Sequence, residues 1–296
     1  MIRRLLGIAR DARNDFLNSQ ELIRRHLVRI QSHLHQLAIM EHQRYLKDIL
    51  SDPKYDDRKR LERYGFKVYS QNDEDGIIQE IFARIGTTSK TFIEFGVENG
   101  LENNTVVLLL QGWEGLWIEG NEGYVSQIAS KFSDEISNGR LRVQSAFIDR
   151  DNINGLIGAY FTGEIDLLSI DIDGNDIYIL ESLDIVQPRV VVIEYNAKFP
   201  PPISVTQRYD PGFRWRGTDY MGASLAAIAK VAAAKGYSLV GCSVAGVNAF
   251  LVRDDLLHDR FLAPFTAENH YQPARYFLAG TFFTGHPPDW GPYETV

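Results

Sequence analysis

The sequence predicts an α/β fold: a doubly wound, mostly parallel sheet with an antiparallel C-terminal edge strand, preceded by a helical, coiled-coil-like arm. Three observations predict it. From about Leu61 to Arg253, short apolar runs alternate with stretches of helical period. Five of those runs stop at an acid or at a small residue beside one. Before them, residues 1 to about 50 contain no glycine after Gly7 and no proline before Pro53. Strand–helix alternation implies right-handed crossovers and a sheet covered on both faces.

The arm comes first. Ile23, Leu27, Ile30, Leu34 and Leu37 recur at alternating spacings of four and three, which places them on one stripe of a helix. Such a stripe needs a partner, and a second copy of the chain is the expected one. His26, His33, His35 and His42 lie in this arm without the one-turn spacing that clamps zinc, so they read as solvated helix residues. "SDPKYDDRKRLERYG" reads as a hinge, giving an arm over 1–60 and a second domain over 61–296.

Within the second domain "TFIEFGVENG" reads as a strand and a tight turn, and "NNTVVLLLQGW" as a helix. "EGLWIEGN" is a second strand, "EGYVSQIASKF" a helix, "LRVQSAFI" a third strand and "NINGLIGAYF" a helix. "IDLLSIDI" is a fourth strand, "DIYILESL" a helix and "PRVVVIEYN" a fifth strand. A loop rich in proline and aromatics follows, then the helix "GASLAAIAKVAAAKG" and the strand pair within "YSLVGCSVAGVNAFLVR".

Composition narrows the function. The 296 residues carry a formal net charge of −8, which argues against a broad nucleic-acid groove. The one cysteine, Cys242, excludes an intramolecular disulfide and a Cys-based zinc site and fits a cytoplasmic, reducing location. The N-terminus lacks the apolar core of a signal peptide, and no apolar run approaches the ~20 residues of a membrane span.

Ligands of such sheets lie beyond the carboxyl ends of the strands, so the strand ends carry the chemistry. The first ends in Glu94-Phe95-Gly96-Val97-Glu98-Asn99-Gly100, where Gly96 and Gly100 permit a tight turn and a close backbone approach. The second ends in Glu119, 25 positions after Glu94, an acid able to accept from a ribose diol. Ala146, Phe147 and Asp149, near the end of the third, could frame an adenine and accept from its amine. The fourth ends in Asp171-Ile172-Asp173 and the fifth in Glu194-Tyr195-Asn196. A dinucleotide fingerprint would put glycine where Glu98 stands. An acid there repels a pyrophosphate but tolerates a cationic adenosyl ligand, which points to S-adenosylmethionine.

"FIEFGVENG", "LWIEGN", "DLLSIDIDGND" and "VVVIEYN", with the opening "SQNDEDGIIQEIF", resemble in order and spacing a class I S-adenosylmethionine-dependent methyltransferase, near the FkbM-type O-methyltransferases. The resemblance covers roughly Tyr69 to Arg253 and implies a Rossmann-like fold. It implies that Glu94 to Gly100 lie under the methionine part of the cofactor and that Glu119, with Asn121 in the same motif, lies at the ribose. It further implies Ala146 to Asp149 at the adenine, Asp171 near the methionine ammonium or a metal, and Ser70 and Gln71 at the methionine carboxylate. The chain departs from the FkbM pattern at Ser169, where lysine is usual, and at Asp173-Gly174, where D-x-E-G is usual.

Methyl transfer needs an acceptor held against the methyl carbon and a route for its proton. Two explanations of the acid cluster stand open. In one, Asp171, Asp173, Glu194 and Asn196 hold Mg²⁺, an arrangement the resemblance to sugar and catechol O-methyltransferases also implies. In the other, Asp171 pairs with the cofactor's ammonium, Asp173 is the general base and Asp176 caps the next helix. Capping and turn formation alone is the structural alternative. Glu194 and Lys198 are further catalytic candidates, and His258, His270 and His286 are candidate bases. Tyr209, Phe213, Trp215 and Tyr220 could stack on sugar rings, with Arg214 and Arg216 able to hold an anion, and the aromatic tail from His258 is expected near the same mouth. The expected activity is O-methylation of a sugar, glycan or natural-product hydroxyl. Alternatives are a metal-dependent glycosyltransferase using Asp171-x-Asp173, and a non-catalytic scaffold assembled through the arm.

Overall fold

The computed structural model describes residues 2–279 and 293–296. The chain forms two compact units, Met1–Ile49 and Leu50–Val296. The first is built on one helix, α1 (Ile2–Leu50). Its stripe of Ile23, Leu27, Ile30, Leu34 and Leu37 is 52 to 61% exposed. Exposed ion pairs of Glu21 with Arg24 and Arg25, and of Glu41 with Arg44, run along it, where solvent screens them. No described helix is long and apolar enough to cross a membrane.

The second unit runs α2 (Glu74–Ile85), β1 (Thr91–Phe95), α3 (Val106–Leu110), β2 (Glu114–Glu119), α4 (Glu122–Lys131), α5 (Ser133–Ser137), β3 (Leu141–Ser145), α6 (Ile153–Gly158) and β4 (Gly163–Ile170). It continues with α7 (Asp176–Ser182), β5 (Val186–Glu194), β6 (Val205–Gln207), α8 (Leu225–Ala234), β7 (Tyr237–Cys242), β8 (Asn248–Arg253), α9 (Ala267–His270) and β9 (Tyr293–Thr295). Seven strands form one sheet in the order β3-β2-β1-β4-β5-β8-β7. β1 to β5 pair in parallel, and β8 pairs antiparallel with both β5 and β7. The expected C-terminal pair therefore supplies the antiparallel edge, with β8 tucked inside and β7 outermost.

The alternation within strands explains the two covered faces. On β5, Val190 and Val192 enter one core while Val191 and Ile193 enter the other. One layer brings Ile77, Ile81 and Phe82 of α2, Val106 and Leu109 of α3 and Ile128 of α4. The opposite layer brings Ile153 of α6, Ile177 and Leu180 of α7 and Leu225 and Ile228 of α8. A strand buried on both sides must be apolar at successive positions, which is why these runs read as continuous. β6 and β9 form a small separate antiparallel pair that no local pattern announced. Strand order reverses between β1 and β4, and a crevice opens there beyond their carboxyl ends.

Candidate functional site

Two adjoining chambers occupy that crevice. They share Gly96, Glu98, Asp171, Asp173 and Trp215, so they form one continuous cleft. The outer chamber, about 320 Å³, is walled by Glu119 and Asn121 after β2, Ala146 and Phe147 after β3, and Phe213 and Arg214 of the loop after β6. The inner chamber, about 270 Å³, is walled by Gln71, Asn72, Asn103, Glu194, Asn248 and Tyr276, among others.

Gly96 is the pivot between them. Its φ is +69°, and a Cβ there would lie 1.7 Å from the carbonyl oxygen of Asp171. Only glycine lets the ends of β1 and β4 meet this closely. The next turn carries Glu98 at φ +46°, and Asp173 sits at φ +59°. These left-handed conformations cost non-glycine residues energy, and here both hold acids that face the cleft.

Glu119 is fixed by backbone donors. The N–H of Glu98 donates to its Oε2 at 2.8 Å and that of Asn121 to its Oε1 at 2.7 Å. Burial raises its pKa, and those two donors oppose the rise. Asn121 caps α4 by accepting from Gly123 and Tyr124. Phe147 is 57% exposed, and the Arg214 guanidinium stands 3.9 Å from its ring centroid. A Cβ at Gly120 would lie 2.3 Å from that ring, so glycine after the β2 acid makes room for the aromatic after β3.

Glu94 works inward. It accepts from the Asn104 N–H at 2.8 Å and the Thr105 hydroxyl at 2.5 Å, and Trp117 Nε1 donates to that hydroxyl. This ties the start of α3 to the sheet. Burial raises Glu94 to about 7. Asp171 and Glu194 are pushed well above the carboxylate range, first by burial and then by neighbouring acids. Asp173 is raised to about 6 by burial and the acids around it. Asp176 is likewise raised to about 6 by burial, opposed by the N–H groups of Ile172 and Gly174 that donate to it.

The structure sorts the sequence candidates. Gln71, Glu94, Gly96, Glu119, Asn121, Ala146, Phe147, Asp171, Asp173 and Glu194 all line the cleft. Ser70 lies beneath it, its hydroxyl bonded to Asp75, and Gly100 packs against Trp117 and Phe132. Asp149 accepts from the N–H groups of Asp151 and Asn152 in the turn before α6 and does not line the cleft. Asn196 is left out of the acid group: its Nδ2 donates to the carbonyls of Asp219 and Met221, and its Oδ1 accepts from the N–H of Lys198. Lys198 itself is ion-paired with Asp219 at 2.7 Å. Among the described residues, the carboxylates close enough to share a cation are Asp171, Asp176 and Glu194, with one oxygen of each within 4.8 Å of the others. Asp176, taken in sequence as a helix cap, thus replaces Asp173 in that group.

Among the base candidates, His270 is buried with Nε2 at 3.1 Å from the Leu262 carbonyl and lowered to about 4 by burial. His258 is exposed, and His286 lies outside the described residues. Of the loop aromatics, Trp215 reaches both chambers and Phe213 the outer one, while Tyr209 packs edge-on against Tyr178. Tyr276 brings the tail to the inner chamber. Sequence reasoning missed Asn72, Asn103 and Asn248. Asn248 had no local signal, because only the β5–β8 register sets it opposite Glu194.

No family model matches the chain, and no curated protein matches it. Solved structures of low identity do. One is magnesium protoporphyrin IX methyltransferase (ChlM) from Synechocystis PCC 6803 with bound S-adenosylhomocysteine. It is 14% identical over 71% of this chain and 99% of that one, with a TM-score of 0.42. The N-terminal domain of EvdMO1 in the presence of S-adenosylhomocysteine and D-fucose is 14% identical over 72% and 95%, with a TM-score of 0.39. The StiE O-MT (residues 961–1257) is 11% identical over 55% of this chain and 52% of that one, with a TM-score of 0.36.

Proposed function

We propose that the chain is an S-adenosylmethionine-dependent O-methyltransferase acting on a hydroxyl of a sugar-like small molecule. One observation carries the reading. The β2-terminal acid Glu119 is pinned by the Glu98 N–H, in a turn whose own side chain is an acid where a pyrophosphate would need only donors. Glu119 suits a ribose diol, Ala146 and Phe147 suit the adenine, and Asp171 suits the methionine ammonium. The acidic walls suit a sulfonium and oppose phosphate groups, which also argues against a glycosyltransferase using Asp171-x-Asp173. Among the described residues no Lys, Arg or His lines the inner wall, which offers a nucleic-acid backbone no cation.

When bound, S-adenosylmethionine supplies a methyl group for in-line displacement by the acceptor oxygen. Glu194 takes the acceptor proton at Oε2, a buried atom with no hydrogen-bond partner among the described residues. Asp173 borders both chambers, and Lys198 is held by Asp219. Asp171, Asp176 and Glu194 also fit Mg²⁺, being hard oxygen donors gathered around one point; a cation there would acidify the acceptor hydroxyl. Calorimetric titration of S-adenosylhomocysteine, with and without Mg²⁺, tests the reading. Saturable binding is expected in both buffers, tighter with Mg²⁺ if the three acids hold it. No binding in either buffer would reject the methyltransferase.

The stripe on α1 supports a homo-oligomer, because a seam of five exposed apolar residues is satisfied by a copy of itself. Removing residues 1–49 should lower the mass seen by light scattering to that of one chain, and an unchanged mass would reject the seam. The buried Cys242 supports a reducing, cytoplasmic setting.

A further inference from the structure

The inner chamber is short of hydrogen-bond donors. Asn72, Asn103 and Asn248 line it at 8, 6 and 2% exposure. Glu74, fully buried at the start of α2, accepts from Asn72 Nδ2 at 3.3 Å and Asn248 Nδ2 at 3.0 Å, both on the same oxygen. That carboxylate fixes which amide atom of each is bonded, and it leaves the Oδ1 of both without a partner among the described residues. Asn103 has no partner for either Oδ1 or Nδ2, and Glu194 Oε2 has none. The unmet atoms are four acceptors and one donor.

Buried polar atoms are almost always satisfied in the working state of a protein, so this wall expects a ligand rich in donors. The charge of the wall says which kind. Glu98, Asp171, Asp173 and Glu194 line the chamber, Glu102 does so paired with Lys67, and among the described residues no Lys, Arg or His lines it. A hydroxyl brings one donor and two lone pairs, whereas an ammonium brings three donors, no acceptor and a positive charge. Phosphate and carboxylate bring only acceptors and negative charge, the opposite of what the wall lacks.

We propose that the acceptor is a cationic amine-bearing polyol of the amino-sugar class, read by Asn72, Asn103 and Asn248, and that phosphorylated sugars are refused. The proposal rests on the methyltransferase reading of the cleft, with the cofactor's own ammonium as the other source of the same chemistry. Titration into protein already saturated with S-adenosylhomocysteine separates the two. D-glucosamine, D-glucose, N-acetyl-D-glucosamine and D-glucose 6-phosphate are the probes, at pH 7. D-glucosamine should bind about 10-fold or more tightly than glucose or the uncharged N-acetyl form, and the phosphate ester should not bind. Equal binding of glucose and glucosamine, binding of the phosphate ester, no binding of glucosamine, or its displacement by S-adenosylhomocysteine would each overturn the proposal. If S-adenosylhomocysteine itself fails to bind, the methyltransferase reading falls, and the same titrations on the free protein still decide the preference of the chamber. Asn103→Leu gives a second readout. The Asn103 side chain makes no hydrogen bond among the described residues, so its loss should leave the melting temperature and S-adenosylhomocysteine affinity unchanged or higher while glucosamine affinity drops about 10-fold. Asn103→Ala serves if leucine disturbs the fold. Retained glucosamine affinity in either variant would overturn the role given to Asn103.

Discussion

Glu194→Gln should lower kcat by about 10²- to 10⁴-fold, the range for loss of a positioned general base. Glutamine keeps the shape of the side chain and its place at the end of β5, opposite Asn248. It removes the charge and the lone pair that would receive the proton in the proposed reaction. Because burial, and then Asp171, Asp173 and Asp176, raise the pKa of Glu194, glutamine also relieves repulsion. The variant should therefore melt no lower than the native protein and bind S-adenosylhomocysteine as well. The pH profile carries the sign. A base acts when ionised, so a raised pKa makes the native rate climb with pH above the ordinary glutamate range, and the variant should lose that limb. Release of S-adenosylhomocysteine in the presence of acceptor measures both. A native-like kcat in the variant would remove Glu194 from proton transfer.

Asp166→Ala should lower stability by roughly 3–5 kcal/mol, the usual cost of breaking a buried ion pair from one side. Asp166 is fully buried in β4. Its carboxylate accepts from the N–H of Thr88 at 2.9 Å and of Lys90 at 2.6 Å, and Nε of Arg189 stands 3.2 Å away. Arg189, 7% exposed, keeps the Ile85 carbonyl and a more distant Glu164, at 3.0 and 3.8 Å. Alanine would leave a buried guanidinium under-compensated and take the acceptor from the N–H groups of Thr88 and Lys90. Urea unfolding should show a lower midpoint at unchanged slope, and cofactor affinity should persist wherever the variant is folded. A loss below about 1 kcal/mol would mean that the site relaxes around the missing charge.

These two residues show what a local reading can and cannot separate. In "DLLSIDIDGNDIYIL" four acids crowd one stretch. The structure sends Asp166 down into the core beside Arg189 and Asp176 back onto its own loop, and leaves Asp171 and Asp173 at the cleft. Period-two alternation puts Asp166 and Asp171 on opposite faces, but the partner that makes Asp166 structural lies on β5. Asn196 and Lys198 misled for the same reason. Their positions after β5 resembled those of Glu194, yet the chain from Asp219 to Met221 returns to occupy both.

The sequence by itself determined the arm, the alternation of strands and helices, and the acids that end β1, β2, β4 and β5. Periodicity and turn chemistry act between residues a few positions apart, so they survive in a linear string. The asparagines of the inner chamber belong to tertiary structure alone. Asn72, Asn103, Glu194 and Asn248 come from four separate segments, and the antiparallel register of β5 with β8 brings the last two together. Glu74 then fixes the amides of Asn72 and Asn248 by accepting from both. Which polar atoms of the cleft lack a partner among the described residues is set by those long-range contacts, and no local pattern encodes a leftover.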